Sequence, residues 1–221
     1  MSVLQSSTLV NARLYLVAPF SLAAGDLPDL VPDLAGAGVD VIQLREKQME
    51  AREMLDKASV VARVCAESQV PFIVNDRVDV AASLQARGLD VGAHVGQGDL
   101  SVADARALLG PNAIVGLSTH APEEVDAATS VDRPDYIAVG PVYETPTKPG
   151  RPAAGLSLLG HATGQVELPW FAIGGIDSGN LDEVIEAGAR RIVVVRAIAL
   201  ADDPVAAARE LAERLAVAKD I

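Results

Sequence analysis

Eight runs of apolar, largely β-branched residues recur along this chain, each followed by a segment of helical spacing, and that repeat leaves few folds open. The runs predict strands over Leu14–Ala18, Val39–Leu44, Phe72–Val74, Val91–Val95, Ala113–Leu117, Tyr136–Val139, Trp170–Ile173 and Arg191–Val195. The intervening spacing predicts helices over Pro28–Ala37, Met49–Ser68, Val78–Arg87, Val102–Leu109, Pro122–Ala128, Leu156–Thr163, Leu181–Ala187 and Pro204–Ala218. Unbroken apolar runs, as opposed to strict alternation, are what parallel strands covered on both faces require. Glycines at 36, 38, 88, 110 and 188 sit where the helices should stop. The class is therefore α/β, with two architectures to weigh. A doubly wound open sheet usually places a phosphate loop after its first strand, and Leu16-Val17-Ala18-Pro19 offers none. Gly174-Gly175 follows the seventh run instead, where barrels commonly hold phosphate. A single-domain (β/α)8 TIM barrel over residues 14–221, behind a polar, frayed tail at 1–13, is the expectation; 221 residues suffice for a fold that typically takes ~250.

Composition narrows the chemistry. Half the residues are hydrophobic but only 3% are aromatic, which predicts a core of Val, Ile, Leu and Ala. A net charge of −12 argues against nucleic acid or an anionic membrane as partner, since both demand a basic footprint. A small anionic substrate is compatible if the few cations cluster. The lone Cys65 excludes an internal disulfide, fits a reducing compartment, and reads as a small buried hydrophobe more readily than as a nucleophile. No stretch approaches the ~18 apolar residues of a membrane span, and no basic-then-apolar leader opens the chain. A soluble, cytoplasmic protein is expected, with a homo-oligomer left open.

Short polar clusters follow the apolar runs, and in a parallel barrel all of them reach one rim. In Gln43-Leu44-Arg45-Glu46-Lys47, alternation sets Gln43, Arg45 and Lys47 on one side and Leu44 and Glu46 on the other. Three donors at the barrel mouth call for an anion, unless Arg45 or Lys47 is salt-bridged to a neighbouring Asp. Asn75-Asp76 and Asp99 lie on neighbouring loops, and two carboxylates beside a basic rim suit Mg²⁺, which is held by one or two carboxylates plus substrate phosphate. The alternative for Asp99 is a cap on the helix near Val102. His94 reads as a satisfied structural histidine. Ser118 can donate to a substrate, and His120 either shuttles a proton or orients its loop. Thr145-Pro146-Thr147-Lys148 offers two hydroxyls and a cation on a stiff loop, a candidate phosphate clamp. Gly174-Gly175 lets backbone approach a ligand, a helix starting near Asp177 would aim its N–H groups there, and Arg196 can add a bidentate contact.

Taken in order, QLREK at 43–47, NDR at 75–77, HVGQGD at 94–99, TPTK at 145–148 and AIGGI at 172–176 resemble the thiamine-phosphate synthase family, over nearly the whole chain from Leu14 to Ile198. The resemblance implies a transferase that joins a pyrimidine diphosphate to a thiazole phosphate with release of pyrophosphate, with Mg²⁺ as cofactor. It implies that Gln43, Leu44, Arg45, Glu46, Lys47 and Asn75 surround the pyrimidine diphosphate, with Ser118 and Lys148 on the pyrimidine. Arg45, Lys47 and Lys148 would be catalytic, and Asp76 and Asp99 the metal ligands. Thr145, Pro146, Thr147, Gly175, Val195 and Arg196 would hold the thiazole phosphate; many members of the family carry Ser at the position of Arg196. A related tautomerase, working by proton transfer without metal, is the alternative; it would leave Asp76 and Asp99 idle. A non-catalytic barrel sensing a phosphorylated metabolite is the other rival.

Overall fold

The apolar runs become the staves of a closed barrel. A computed structural model describes residues 9–129, 133–145 and 152–218. Its strands are β1 (Leu14–Ala18), β2 (Val41–Leu44), β3 (Phe72–Asn75), β4 (Gly92–Val95), β5 (Val115–Thr119), β6 (Tyr136–Val139), β7 (Trp170–Ile173) and β8 (Ile192–Val194). All neighbours pair in parallel, and β1 closes the ring by pairing with both β2 and β8. Between them run α1 (Leu27–Gly36), α2 (Ala51–Glu67), α3 (Val78–Gln85), α4 (Val102–Leu109), α5 (Pro122–Ala128), α6 (Leu156–Gln165) and α7 (Leu181–Glu186), with α8 (Arg196–Ala199) and α9 (Pro204–Val217) after β8. The fold is the expected α/β barrel. A short hairpin, Ser21–Leu22 with Gly25–Asp26, follows β1 and has no apolar run to betray it.

Alternation along each strand separates two cores. Leu14, Leu16, Ile42, Leu44, Phe72, Val74, Ile137 and Val139 face outward and are buried beneath the helices. Tyr15, Val17, Val41, Ile73, Tyr136, Phe171 and Val193 face the barrel interior. The interior differs from the aliphatic filling that composition suggests: Phe171 meets Tyr15 and Tyr136 edge-on at centroid distances of 5.5 and 5.6 Å. Three of the seven aromatic residues, Tyr15, Tyr136 and Phe171, stand in this interior. Residues 9–13 also depart from a frayed tail. Leu9 and Ala12 are about 1% exposed and join this interior cluster, because the floor of a barrel needs an apolar plug. Cys65 is buried on α2 and burial pushes its thiol up to about 12, which leaves no thiolate for nucleophilic work at neutral pH.

The helices differ in how well their sequences suit them. Gly160 lies on the exposed side of α6, and a Cβ added there meets nothing within 4 Å. Gly160→Ala is therefore expected to stabilise the protein by about 0.5–1 kcal/mol through the lower backbone entropy of the unfolded chain. Thermal unfolding checks it: a rise of roughly 1–4 °C is expected, and no rise would mean the side of α6 that carries Gly160 is covered.

Candidate active site at the barrel mouth

Because every strand runs the same way, the C-terminal strand ends share one rim, and a cavity of about 360 Å³ opens there. Its wall includes Gln43 on β2 and Arg45 just after it, Asn75 on β3, Ser118 on β5, Thr145 beyond β6, Gly175 beyond β7, and Val195 and Arg196 beyond β8. Residues separated by 153 positions in the chain, Gln43 and Arg196, thus line one space. Leu44 and Glu46, which the resemblance groups with the substrate ligands, turn their side chains elsewhere by the same alternation. Leu44 is fully buried under the helices, and the Glu46 carboxylate accepts the Phe20 backbone N–H at 2.7 Å. Pro146, Thr147 and Lys148 lie outside the described residues.

The rim is electrostatically split. Arg45 reaches into the cavity with its Nη2 buried and, among the described residues, without a hydrogen-bond partner. Burial draws its guanidinium below the ordinary value while the nearby Asp76 pulls it back up. An unmade bond at a buried donor costs about 1–3 kcal/mol, which an anionic ligand would recover. Lys47 is exposed at the edge, yet its charge is felt by Asp76. Neither cation forms a salt bridge among the described residues, so the ion-paired alternative for this strand end does not hold.

Asp76 and Asp99 come close enough for their carboxyls to share a hydrogen bond. Desolvation, then the charge of Asp99 and that shared bond, hold the Asp76 carboxyl above the usual carboxylate range, against Arg45 and Lys47. The Asp76 backbone is left-handed, at φ 60°, with its N–H held by the His94 carbonyl at 2.8 Å. A strained non-glycine conformation that delivers a carboxylate to a second carboxylate is the kind of feature stored at functional sites. Asp99 is not the helix cap: α4 is capped by Ser101, whose hydroxyl accepts the Asp104 N–H at 3.1 Å. The Asp99 carboxylate instead accepts the Gly96 N–H at 2.8 Å, which tightens the loop after β4. No group of three or more candidate metal ligands occurs among the described residues. Two hard oxygen donors fit a divalent cation whose remaining positions go to water and phosphate, not an all-protein cage.

The far wall is backbone. Val142 N–H donates to the Ile173 carbonyl at 2.8 Å and Tyr143 N–H to the Gly174 carbonyl at 2.9 Å, zipping the loop after β6 to the turn after β7. A Cβ on Gly174 would come within 2.4 Å of Pro141, and Gly174 and Gly175 have φ of 106° and 69°, so both positions need glycine. The helix expected near Asp177 begins four residues later, at Leu181. Asp177 spends its carboxylate on the Gly179 N–H at 2.9 Å, and Asn180 closes the turn through the Asp177 N–H at 3.0 Å and the Gly175 carbonyl at 2.8 Å. His120 lines the cavity with Nδ1 2.5 Å from the Gly140 carbonyl oxygen, so its ring is oriented by backbone.

Sequence reasoning missed the cavity floor. Tyr15 and Tyr136 look like ordinary core residues, yet their hydroxyls lie 2.7 Å apart and link Gln43 to His94. His94 is a satisfied histidine, as its lack of a second metal-spaced histidine suggested, with Tyr136 on one ring nitrogen and Ser118 on the other. The signal was register: alternation in β1 and β6 puts Tyr15 and Tyr136 on the face that carries Gln43 and Ser118.

Comparison with known proteins agrees across sequence and shape. A sequence profile described as thiamine monophosphate synthase matches residues 14–198. The thiamine-phosphate synthase of Acidothermus cellulolyticus is 51% identical over 213 residues, covering 96% of this chain and 99% of the relative. That of Thermus thermophilus is 52% identical over 208 residues, covering 92% and 97%. In three dimensions the chain resembles the thiamine phosphate pyrophosphorylase of Pyrococcus furiosus at a TM-score of 0.83 and 29% identity, over 98% of this chain and all of that one.

Proposed function

The chain belongs to the thiamine monophosphate synthase family, a family of transferases, and on that premise we propose that it joins a hydroxymethylpyrimidine diphosphate to a thiazole phosphate at this rim. The observation that carries the reading is the juxtaposition, in one cavity mouth, of an unpartnered Arg45 donor with a carboxylate pair. In the reaction the methylene C–O bond breaks, the diphosphate oxygen keeps the electron pair, and the thiazole nitrogen lone pair forms the new C–N bond. That nitrogen carries no proton, so no general base is required, and neither His120 nor Cys65 is needed as one. Arg45 and Lys47 neutralise the negative charge that builds on the departing group, where preorganised cations act most strongly. Gln43, Asn75 and Ser118 hold the pyrimidine, while Thr145, Gly175, Val195 and Arg196 surround the thiazole phosphate. By the resemblance, Thr147 and Lys148 join these groups. Apolar side chains of the cavity wall, Val17, Ile173 and Val193 among them, keep water from the cationic carbon long enough for the second ring to reach it.

Asp76 and Asp99 are the residues that would hold Mg²⁺, and that ion when bound supplies positive charge against the diphosphate. Incubating the protein with both half-substrates and Mg²⁺, with and without EDTA, tests the proposal by mass spectrometry. Thiamine phosphate and pyrophosphate are expected with Mg²⁺ alone. Undiminished product in EDTA would remove the metal, and isomerised thiazole without coupling would favour the metal-independent tautomerase.

A further inference from the structure

The cavity floor holds a polar chain whose three middle members, Tyr15, Tyr136 and His94, take no part in the chemistry above. Gln43 Nε2 donates to Tyr15 Oη at 2.7 Å, Tyr15 Oη lies 2.7 Å from Tyr136 Oη, Tyr136 Oη lies 2.9 Å from His94 Nδ1, and His94 Nε2 lies 2.9 Å from Ser118 Oγ. The chain crosses the barrel through β2, β1, β6, β4 and β5, and all five side chains are buried. Burial on this scale is costly for polar groups unless each is bonded, and an aliphatic floor would have been simpler to fill.

Such a chain has a direction. With the Gln43 amide donating into it and every buried proton satisfied within the chain, the Tyr15 hydroxyl donates to Tyr136, Tyr136 donates to His94 Nδ1, and His94 carries its proton on Nε2 and donates to Ser118 Oγ. Burial lifts both phenols well above their ordinary range, so each keeps the proton that this order requires. Ser118 is then left with a hydroxyl proton to give and Gln43 with Oε1 to accept. We propose that Tyr15, Tyr136 and His94 are positioning residues that fix the opposite hydrogen-bonding polarity of Gln43 and Ser118, the two chain ends lining the cavity. The pair thereby fits a heterocycle edge on which an N–H donor neighbours a ring-nitrogen acceptor, as on an aminopyrimidine. This rests on the assignment of Gln43 and Ser118 to the pyrimidine.

Histidine ¹⁵N NMR of the full chain tests the order directly: neutral His94 with its proton on Nε2 is expected in the unsubstituted protein, and a proton on Nδ1 instead would overturn it. Kinetics test the consequence. Tyr136→Phe and, separately, Tyr15→Phe should each raise KM for the pyrimidine diphosphate about tenfold, the size expected when a buried partner is left unmade. KM for the thiazole phosphate should stay unchanged, which general loosening of the barrel would not spare. Unchanged pyrimidine KM in both variants sinks the proposal even if coupling is active. Absence of any product from the unsubstituted protein would instead remove the function itself. The tautomer measurement needs no variant, so it decides the chain's order even if a Phe variant does not fold.

Discussion

Asp76→Asn is expected to lower kcat/KM for thiamine phosphate formation on the order of 10²–10³-fold, the range seen when one preorganised electrostatic contact to developing charge is lost. Asparagine is the right substitution because it tolerates the left-handed backbone at φ 60°, where alanine would add strain of its own. Asp99→Asn should give a loss of similar size, and the double variant little more than either alone, since residues that act as a unit are not additive. Stability should move the other way. In the metal-free protein the Asp76 carboxyl is held above its ordinary range, so the folded state binds that proton more tightly than the unfolded chain does. Stability contributed by this group is therefore full below the unfolded pKa and falls as pH climbs through the folded one. Asparagine cannot ionise, so the variant should lose that fall and melt at or above the parent temperature near neutral pH. A variant that melts higher yet turns over poorly separates a functional loss from misfolding. Near-parental kcat/KM in Asp76→Asn, with saturating Mg²⁺, would sink the assignment of the carboxylate pair.

The barrel was legible because parallel strands bury both faces, which leaves unbroken runs such as Trp170–Ile173 standing between helical segments. The rim was legible because its polar residues interrupt those runs at their ends, where charge has no structural reason to be. What did not read through was the partner that each side chain finds. Leu44 and Glu46 lie within the same five residues as Gln43 and Arg45, but alternation turns one under the helices and the other toward Phe20. Asp177 resembles a helix cap, yet it closes a turn within its own loop and leaves the helix to start at Leu181. Leu9 and Ala12 look like the end of a polar tail, and only a closed barrel with an open floor explains their burial. Tyr15 and Tyr136 were hidden for a different reason: nothing local marks a tyrosine whose partner is 121 positions away.

Gly116→Ala should be among the most destabilising single-methyl changes in the protein. Gly116 sits on β5 facing the barrel interior, paired with Tyr136 on one side and His94 on the other. A Cβ there would lie 2.1 Å from Tyr136 Cζ and 2.4 Å from its Oη. The ring has nowhere to go. It is stacked on His94 at a centroid distance of 5.5 Å, set edge-on to Phe171 at 5.6 Å, and tilted against Tyr15 at 5.7 Å. Its hydroxyl is tied to Tyr15 and His94. Nor can the strand retreat, because β5 is hydrogen-bonded on both sides within a closed ring. Overpacking costs about 1–3 kcal/mol, and breaking a buried hydrogen bond leaves groups unpaired at about 1–3 kcal/mol more. At roughly 2–4 °C per kcal/mol for a chain of this length, the melting temperature should fall by about 10 °C. The cause can be isolated with a double-mutant cycle. Tyr136→Ala alone opens a cavity and destabilises, but in that background the added methyl at 116 has space, so its further cost should nearly vanish. Equal penalties for Gly116→Ala with and without the Tyr136 ring would mean that the glycine is required for the backbone of β5, and not to make room for the phenol beneath the cavity.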